Sequence, residues 1–285
     1  MKFGVSSYSL YPALRSKEMT IIDVIDYIAD IGGEHVEIVP LGFNLTEQPE
    51  LIEAIRRRAV EAGIELSNYA VGGNFADLDP DAFEQEIERL QREVDIAAAL
   101  GVKLMRHDVA SSPDISIRHY NEQLPRLAEA CRRIADYAAE YGITTSVENH
   151  GLFVQAADRV QALIHLVDRD NFKTTLDVGN FLCVDEDPAA AVSRNIGYAS
   201  MVHIKDFYVR RGERTLSEGW FRSAHGSFLR GAIVGHGDID LPHVLRIIKQ
   251  SGYDGCLSVE FEGIEPCRSG ARIGLDQLKA MWNAV

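Results

Sequence analysis

The chain has 285 residues, of which 46% are hydrophobic and 25% charged, a composition typical of a globular protein with a full core. The formal net charge of −14 argues against a general nucleic-acid binder, because binding to phosphate backbones depends on clustered Lys and Arg. No apolar run approaches the length of a membrane span, and no apolar signal core precedes the first apparent strand. We therefore expect a soluble, cytoplasmic protein with no nucleic-acid or membrane partner.

A unit of amphipathic helix, Gly and short apolar run recurs along the chain. A Gly in that place suits the left-handed residue that closes a helix, and the apolar run suits a buried strand. The pattern predicts strands over residues 2–8, 34–39, 64–70, 103–108, 143–149, 172–178, 200–205 and 255–261. It predicts helices over residues 20–31, 47–62, 81–100, 117–141, 154–168, 187–196, 240–251 and 273–283.

The strict alternation of strand and helix predicts parallel strands joined by right-handed crossovers. Eight such units fit a closed (β/α)8 TIM barrel, and we interpret residues 1–285 as a single α/β domain of this class. A doubly wound open sheet is the alternative, but such sheets usually have a Gly-rich phosphate turn after the first strand. Here Ser6-Ser7-Tyr8-Ser9 occupies that place, so the barrel is favoured.

One connection, residues 207–239 after the seventh strand, departs from the regular alternation of strand and helix. It is long and rich in Arg, Gly and aromatic residues, and its aromatic content argues against disorder. In a barrel, this loop would lie on the face formed by the C-terminal ends of the strands, where active sites are built. We interpret it as a lid or as a wall of the substrate site.

Each of the last four strands contains an ionisable residue near its C-terminal end. The residue before each one is apolar, so alternation along a strand directs all four side chains into the barrel mouth. Three carboxylates and an imidazole converging without an equal number of cations would repel one another, and a divalent metal ion resolves that repulsion. The oxygen-rich set suits Mn²⁺ first, with Mg²⁺, Co²⁺ and Zn²⁺ as alternatives. The four predicted ligands are Glu148, Asp177, His203 and Glu260.

A simpler interpretation is that each of these residues is an isolated buried polar group with its own hydrogen bonds, or that the strand ends are exposed. Four matching positions on consecutive strands favour the shared metal site.

Several motifs resemble those of the xylose isomerase-like TIM barrels, specifically the sugar phosphate isomerase/epimerase group, over essentially the whole chain. They are Val147-Glu148-Asn149-His150, Leu176-Asp177-Val178-Gly179-Asn180, Val202-His203-Ile204-Lys205-Asp206, the segment Val234 to Asp240, and Gly252-Tyr253-Asp254-Gly255 leading to Val259-Glu260. The resemblance implies one divalent metal on the same four residues. It also implies that Glu148 and Glu260 are the catalytic acid/base pair of an isomerase or epimerase. Its substrate would be a ketose, cyclitol or related polyol, and a proton would move through an enediolate.

The chain departs from the ketose epimerase pattern at Asn180, where a His is common, and Arg210, Arg211 and Arg230 compete for the role of substrate-binding Arg. We expect substrate contacts from Lys205, Arg230, His236, Asn180, His107 and Glu37. Each has a structural alternative. Asn180, with Asn149, His150 and Asp206, can instead orient the ligands, and the glycines of Gly235-His236-Gly237 can simply form a tight turn.

Three other functions remain open from the sequence. A metal-dependent dehydratase or lyase acting on a keto-sugar or inosose would need the same metal and base, with His236 or Lys205 as the acid. An AP endonuclease-like DNA repair enzyme would need three metals and a basic groove, which the acidic charge disfavours. The third alternative is a barrel that binds a sugar without catalysing a reaction. The expected partner is a small sugar or polyol, and a homo-oligomer formed through the aromatic-rich loop is a further hypothesis.

Overall fold

The strands form a closed barrel. A computed structural model describes residues 1–213 and 215–285, so residue 214 of the predicted lid lies outside the described residues. Within these ranges eight parallel strands close in the order β1-β11-β7-β6-β5-β4-β3-β2. They are β1 (Lys2–Ser6), β2 (His35–Ile38), β3 (Glu65–Val71), β4 (Leu104–His107), β5 (Thr144–Glu148), β6 (Phe172–Asp177), β7 (Ala199–Ile204) and β11 (Cys256–Val259). The prediction of a TIM barrel is confirmed.

The helices surround the barrel. They are α1 (Tyr11–Arg15), α2 (Ile21–Asp30), α3 (Glu50–Ala62), α4 (Pro80–Leu100), α5 (Ile117–Ala139), α6 (Ala157–Val167), α7 (Pro188–Asn195), α8 (Leu241–Gln250) and α9 (Cys267–Ala284). Short 3-10 helices cover Ser7–Leu10, Asn180–Val184 and Ile196–Tyr198. No helix in the described ranges combines the length and apolarity needed to cross a bilayer.

Local sequence signals explain most helix boundaries. Asp79 begins α4 by accepting a hydrogen bond from the Ala82 N–H, with Pro80 in the first turn. At its other end, Gly101 has a φ of 81°, the left-handed conformation that a non-glycine residue adopts at a cost. The predicted start of α9 at residue 273 is wrong, because the helix begins at Cys267. Gly270 lies inside it, where a Cβ would come within 2.4 Å of the Phe261 ring, so the Gly permits close packing rather than ending the helix.

The alternation along the last strands is as predicted. Val147, Leu176, Val202 and Val259 are buried in the hydrophobic core. Because neighbouring side chains on a strand point to opposite faces, the residues on either side of these four point into the barrel.

The long connection after β7 is folded as a small antiparallel sheet of β8 (Asp206–Arg210), β9 (Phe221–Arg222) and β10 (Phe228–Ala232), in the order β8-β10-β9. After this sheet the chain returns to the helical layer at α8. Phe207 anchors this sheet, because it is buried and packs edge-on against Phe221 with 5.8 Å between ring centroids.

Candidate metal centre

Four side chains converge at the C-terminal ends of successive barrel strands. Each of Glu148, Asp177, His203 and Glu260 offers one ligand atom, and these atoms all lie within 4.8 Å of one another. All four residues are buried, the most exposed being Glu260 at 6%. The register explains the convergence, because Asp177 on β6 is directly paired with His203 on β7. The structure thus brings the four predicted residues together.

The Asp177 carboxylate is held with one oxygen turned to the centre of this group. Its Oδ1 accepts hydrogen bonds from the N–H groups of Gly179 at 2.7 Å and Asn180 at 2.8 Å. Asn149 fixes the strand below it through two hydrogen bonds of 2.8 Å to the Asp177 backbone. The other oxygen, Oδ2, is buried without a hydrogen bond in the described part of the chain, and the Lys205 ammonium lies 3.3 Å from it. Burial raises the pKa of Asp177 to about 7.

His203 is oriented by a second acid. Its Nε2 lies 2.9 Å from Oε1 of Glu37, which also accepts a hydrogen bond of 2.8 Å from Asn68. A carboxylate accepts from a protonated nitrogen, so Nε2 carries the proton and Nδ1 faces Glu148 at 3.5 Å and Glu260 at 3.8 Å. Nδ1 has no hydrogen-bond partner among the residues described. Burial alone would lower the pKa of His203, but the Glu37 and Glu260 carboxylates outweigh it and hold that pKa well above its usual value.

These features fit a divalent cation. Nδ1 of His203 faces two carboxylates and Oδ2 of Asp177 lies 3.3 Å from the Lys205 ammonium, but neither buried atom has a hydrogen-bond partner among the described residues, and such burial is costly. Isolated polar residues with separate hydrogen bonds would not leave such atoms. The four side chains could therefore hold one metal ion, with Glu37 presenting the imidazole in the way that outer carboxylates present metal-bound histidines.

Two cations also lie among the acids. The Arg106 guanidinium donates from Nε to Oε2 of Glu148 at 2.6 Å. Burial alone would raise the pKa of Glu148, but Arg106 outweighs that effect and holds it well below its ordinary value. The Lys205 ammonium lies 2.7 Å from Oε2 of Glu260 and donates to Oδ1 of Asn180 at 3.1 Å. The expectation that the carboxylates meet without matching cations was therefore wrong in part.

The register of β4 explains why Arg106 enters the mouth and His107 does not. Arg106 is paired with Ser146, which shares the inward face of Glu148, whereas His107 is paired with the outward-facing Val147. His107 is buried beside Phe75, with 6.3 Å between ring centroids. The prediction that His107 faces the cavity is thus corrected, and Arg106 lines the cavity instead. The pairing of β4 with β5 was the signal that could have identified it.

A cavity of about 520 Å³ opens above these residues. Three predicted substrate-contacting residues, Glu37, Asn180 and Lys205, line it. His150 lines it too, and its Nδ1 lies 3.2 Å from Oδ1 of Asp108, which makes a His–Asp pair beside the metal ligands. Sequence reasoning gave His150 only an orienting role, because a residue just beyond a strand has no fixed direction.

The sheet of the long connection forms part of the wall. Phe221 and Arg222 of β9 line the cavity, as expected for this loop. Arg230 is not among the described residues that line the cavity. Its guanidinium lies over the rings of Tyr208 at 4.7 Å and Trp220 at 5.6 Å. The predicted substrate contact of Arg230 is therefore corrected.

The Gly-His-Gly turn has a structural explanation. Oδ2 of Asp206 accepts hydrogen bonds from the N–H groups of Gly235 at 3.0 Å and Gly237 at 2.8 Å. A Cβ on Gly237 would lie 2.1 Å from Oδ1 of Asp206, so only Gly fits there. His236 between them is exposed and lies outside the described lining of the cavity. The predicted substrate contact of His236 is corrected as well.

Comparison with known proteins gives a consistent picture. Residues 25–281 match the family described as xylose isomerase-like TIM barrel. An inosose dehydratase of Lacticaseibacillus casei is 28% identical over 185 residues, which cover 59% of this chain and 60% of that protein. An inosose dehydratase of Clostridium perfringens is 26% identical over 50% of this chain, and this chain spans 48% of that protein. The chain thus spans only about half to three fifths of the length of these relatives.

One solved structure, described as IOLI protein with a binding zinc atom, superimposes with a TM-score of 0.79 at 16% identity, covering 100% of this chain and 99% of the other. At this identity the likeness shows a shared fold.

Proposed function

Because the chain belongs to the xylose isomerase-like TIM barrel family, we propose that it is a metal-dependent enzyme that removes a proton beside the carbonyl of a polyhydroxylated ketone. The observation that carries this proposal is the buried group of Glu148, Asp177, His203 and Glu260, with ligand atoms within 4.8 Å of one another. When bound there, a divalent ion would polarise the ketone and stabilise the negative charge of an enediolate.

Glu260 is the proposed base. Its carboxylate opens on the cavity, and the Lys205 ammonium 2.7 Å away would supply positive charge where the substrate oxygens bind. The electron pair of the broken C–H bond would move into the enediolate. Asn180 ties Lys205 to Glu148, with hydrogen bonds of 3.1 Å to each, and so fixes the relative positions of the acids.

For the second half of the reaction we propose loss of water, which makes the enzyme a dehydratase. Glu148 is poorly placed to exchange protons, because its Oε2 accepts a hydrogen bond from Arg106 and its Oε1 accepts one from Asn180. His150, held by Asp108, is a separate proton donor in the cavity. It would protonate the hydroxyl on the carbon next to the enediolate as the C–O bond breaks, giving water and an unsaturated ketone. The 28% identical relative named inosose dehydratase supports this choice.

Isomerisation or epimerisation is the second candidate. It is favoured by the presence of two glutamates, Glu148 and Glu260, in one compact group, since one could remove the proton and the other return it on the opposite face. In that reaction Glu148 would have to leave Arg106 during each turnover.

Turnover in D2O separates these reactions. Protein loaded with Mn²⁺, Mg²⁺, Co²⁺ or Zn²⁺ would be incubated with ketoses and inososes, and the products analysed by mass spectrometry. Dehydration predicts a product lighter by one water, whereas epimerisation predicts the original mass plus one deuterium. Glu260→Gln should abolish both the reaction and exchange at the α-carbon, and His150→Asn should stop water loss while exchange continues.

His243→Ala is the matched control, because this histidine is exposed on α8. Absence of exchange with every ketone and every metal, or full activity of Glu260→Gln, would contradict the proposed function.

A further inference from the structure

The lining of the active-site cavity is divided between two sides of the barrel. The four candidate metal ligands belong to β5, β6, β7 and the end of β11, whereas β2 and β3 lie across the barrel from β6 and β7. Glu37 of β2 lines the cavity at the charged side, where its carboxylate is bonded to His203, but the other side chains that β2, the segment after it and β3 contribute to the wall are apolar. They are Val39, Pro40, Leu41, Ala70 and Val71.

Two further apolar side chains reach the cavity from its rim. Leu152 follows β5, and Phe221 projects from the small sheet of the long connection. Phe221 is 40% exposed, although its ring also packs against Phe207. An exposed aromatic ring that borders a cavity offers contact area to a ligand at low cost in conformational entropy. The cavity thus has a charged end at the metal ligands and a predominantly apolar side formed by these residues, with Arg222 beside Phe221.

The size of the cavity exceeds what a single sugar ring needs. Cavities of about 300–1,000 Å³ accommodate ligands of drug size, and this one measures about 520 Å³. A monocyclic polyol is smaller than such ligands, and its hydroxyls would find partners only at the charged end. Hydroxyls placed against the apolar wall would lose their hydrogen bonds to water without replacement.

From this division we infer that the substrate carries an apolar, ring-sized substituent on its polyhydroxylated ring, as in an aryl glycoside of a keto-sugar. The inference rests on the proposed function for the charged end, where the sugar ring binds. The apolar group lies between the Val39–Leu41 segment and Phe221, where it removes both from water. Free monosaccharides and cyclitols leave this end of the cavity to solvent.

Two probes that share one sugar ring test the inference. Phenyl β-D-glucopyranoside and methyl β-D-glucopyranoside would each be titrated into the metal-loaded protein by calorimetry. Burying the phenyl ring should make the phenyl glycoside bind about tenfold more tightly, or better. Leu41→Asp and Phe221→Ser should bring the two affinities together and leave the affinity for the methyl glycoside unchanged.

Both substituted residues lie at least partly in solvent, so these variants should fold. Val60→Asp, at a residue 82% exposed on α3, is the matched control and should keep the preference. Equal affinities, no binding of the phenyl glycoside, or a preference that survives both cavity substitutions would overturn the inference. Failure of the proposed function is separate, because it would appear as absent α-carbon exchange whatever the ratio of affinities.

Discussion

The hydrogen bond between Glu37 and His203 determines which nitrogen of the imidazole faces the candidate metal site. It places the proton on Nε2 and leaves Nδ1 towards the carboxylates. The sequence suggested only that Glu37 points inward from β2, and we expected it to bind a substrate hydroxyl. The contact to His203 joins residues 37 and 203, and no local pattern encodes a contact over that separation.

Removal of the Glu37 carboxylate should lower the affinity of the protein for a divalent ion. We expect Glu37→Ala to lower the affinity for a divalent ion about 10- to 100-fold, the usual cost of losing a carboxylate behind a metal-bound histidine. Glu37→Gln should lose less, because its amide oxygen can still accept from Nε2–H. Titration calorimetry with Zn²⁺ or Mn²⁺ measures both. Wild-type affinity in Glu37→Ala would show that this contact does not serve the metal.

Metal binding should depend on pH with a defined sign. Burial raises the pKa of Asp177 to about 7, and the pKa of His203 lies well above its usual value because its neighbouring acids outweigh burial. Near neutral pH in the metal-free protein, His203 is therefore protonated and Asp177 partly protonated, and an ion must displace these protons. Affinity should rise as the pH is raised from about 5 to 8. Calorimetry in buffers of different ionisation enthalpy would count the protons released, and an affinity independent of pH would contradict this account.

The four predicted ligands illustrate what a strand sequence can show. Each follows an apolar residue in an apolar strand, so alternation alone directs it inward. Arg106 could not be found in this way, because β4 ends with the adjacent polar residues Arg106 and His107. Only the pairing of β4 with β5 decides which of them faces the mouth.

At the scale of elements, the connection from β7 to α8 differs most from expectation. The sequence predicted a structured loop, and the structure is a three-stranded sheet whose β9 contains only Phe221–Arg222. A strand this short has no period to detect, and the pairing of β8 with β10 that holds the sheet joins residues 18 to 26 positions apart, from Arg210↔Phe228 to Asp206↔Ala232. The Gly-His-Gly turn was ambiguous for a similar reason, since Asp206, which holds it, precedes it by about thirty residues.

Substitutions at His236 and Asp206 should show whether this turn has a structural or a catalytic role. His236→Ala should retain activity within about twofold and stability within about 0.5 kcal/mol, because the side chain is exposed. Asp206→Asn should lower the free energy of unfolding by about 2 kcal/mol, because hydrogen bonds to a buried charged acceptor are lost. Denaturant titration and turnover assays measure these effects. A strong loss of turnover in a fully folded His236→Ala would restore His236 to the active site.

At the scale of the whole molecule, the barrel was predictable because eight repeated units require one arrangement of parallel strands. The net charge of −14 gave no indication of the cations that lie inside the barrel mouth. The buried Lys205 and the partly buried Arg106 lie among the acids, and their positions depend on the closed strand order rather than on composition.

A bound ion should also stabilise the whole fold. An ion that binds the folded chain alone adds about 2.7 kcal/mol to the free energy of unfolding at a concentration one hundred times its Kd. Thermal melts with and without Mn²⁺, and with a chelator, should show this as a rise in Tm. Asp177→Asn should show no such rise, and an equal rise in that variant would place the ion elsewhere.

The most direct test of the central claim is anomalous X-ray scattering from crystals grown with Mn²⁺. We predict one strong peak per chain, within bonding distance of Glu148, Asp177, His203 and Glu260, with Nδ1 of His203 turned towards it. A crystal saturated with Mn²⁺ that shows no peak among these four side chains, or a peak only at another place, would contradict it.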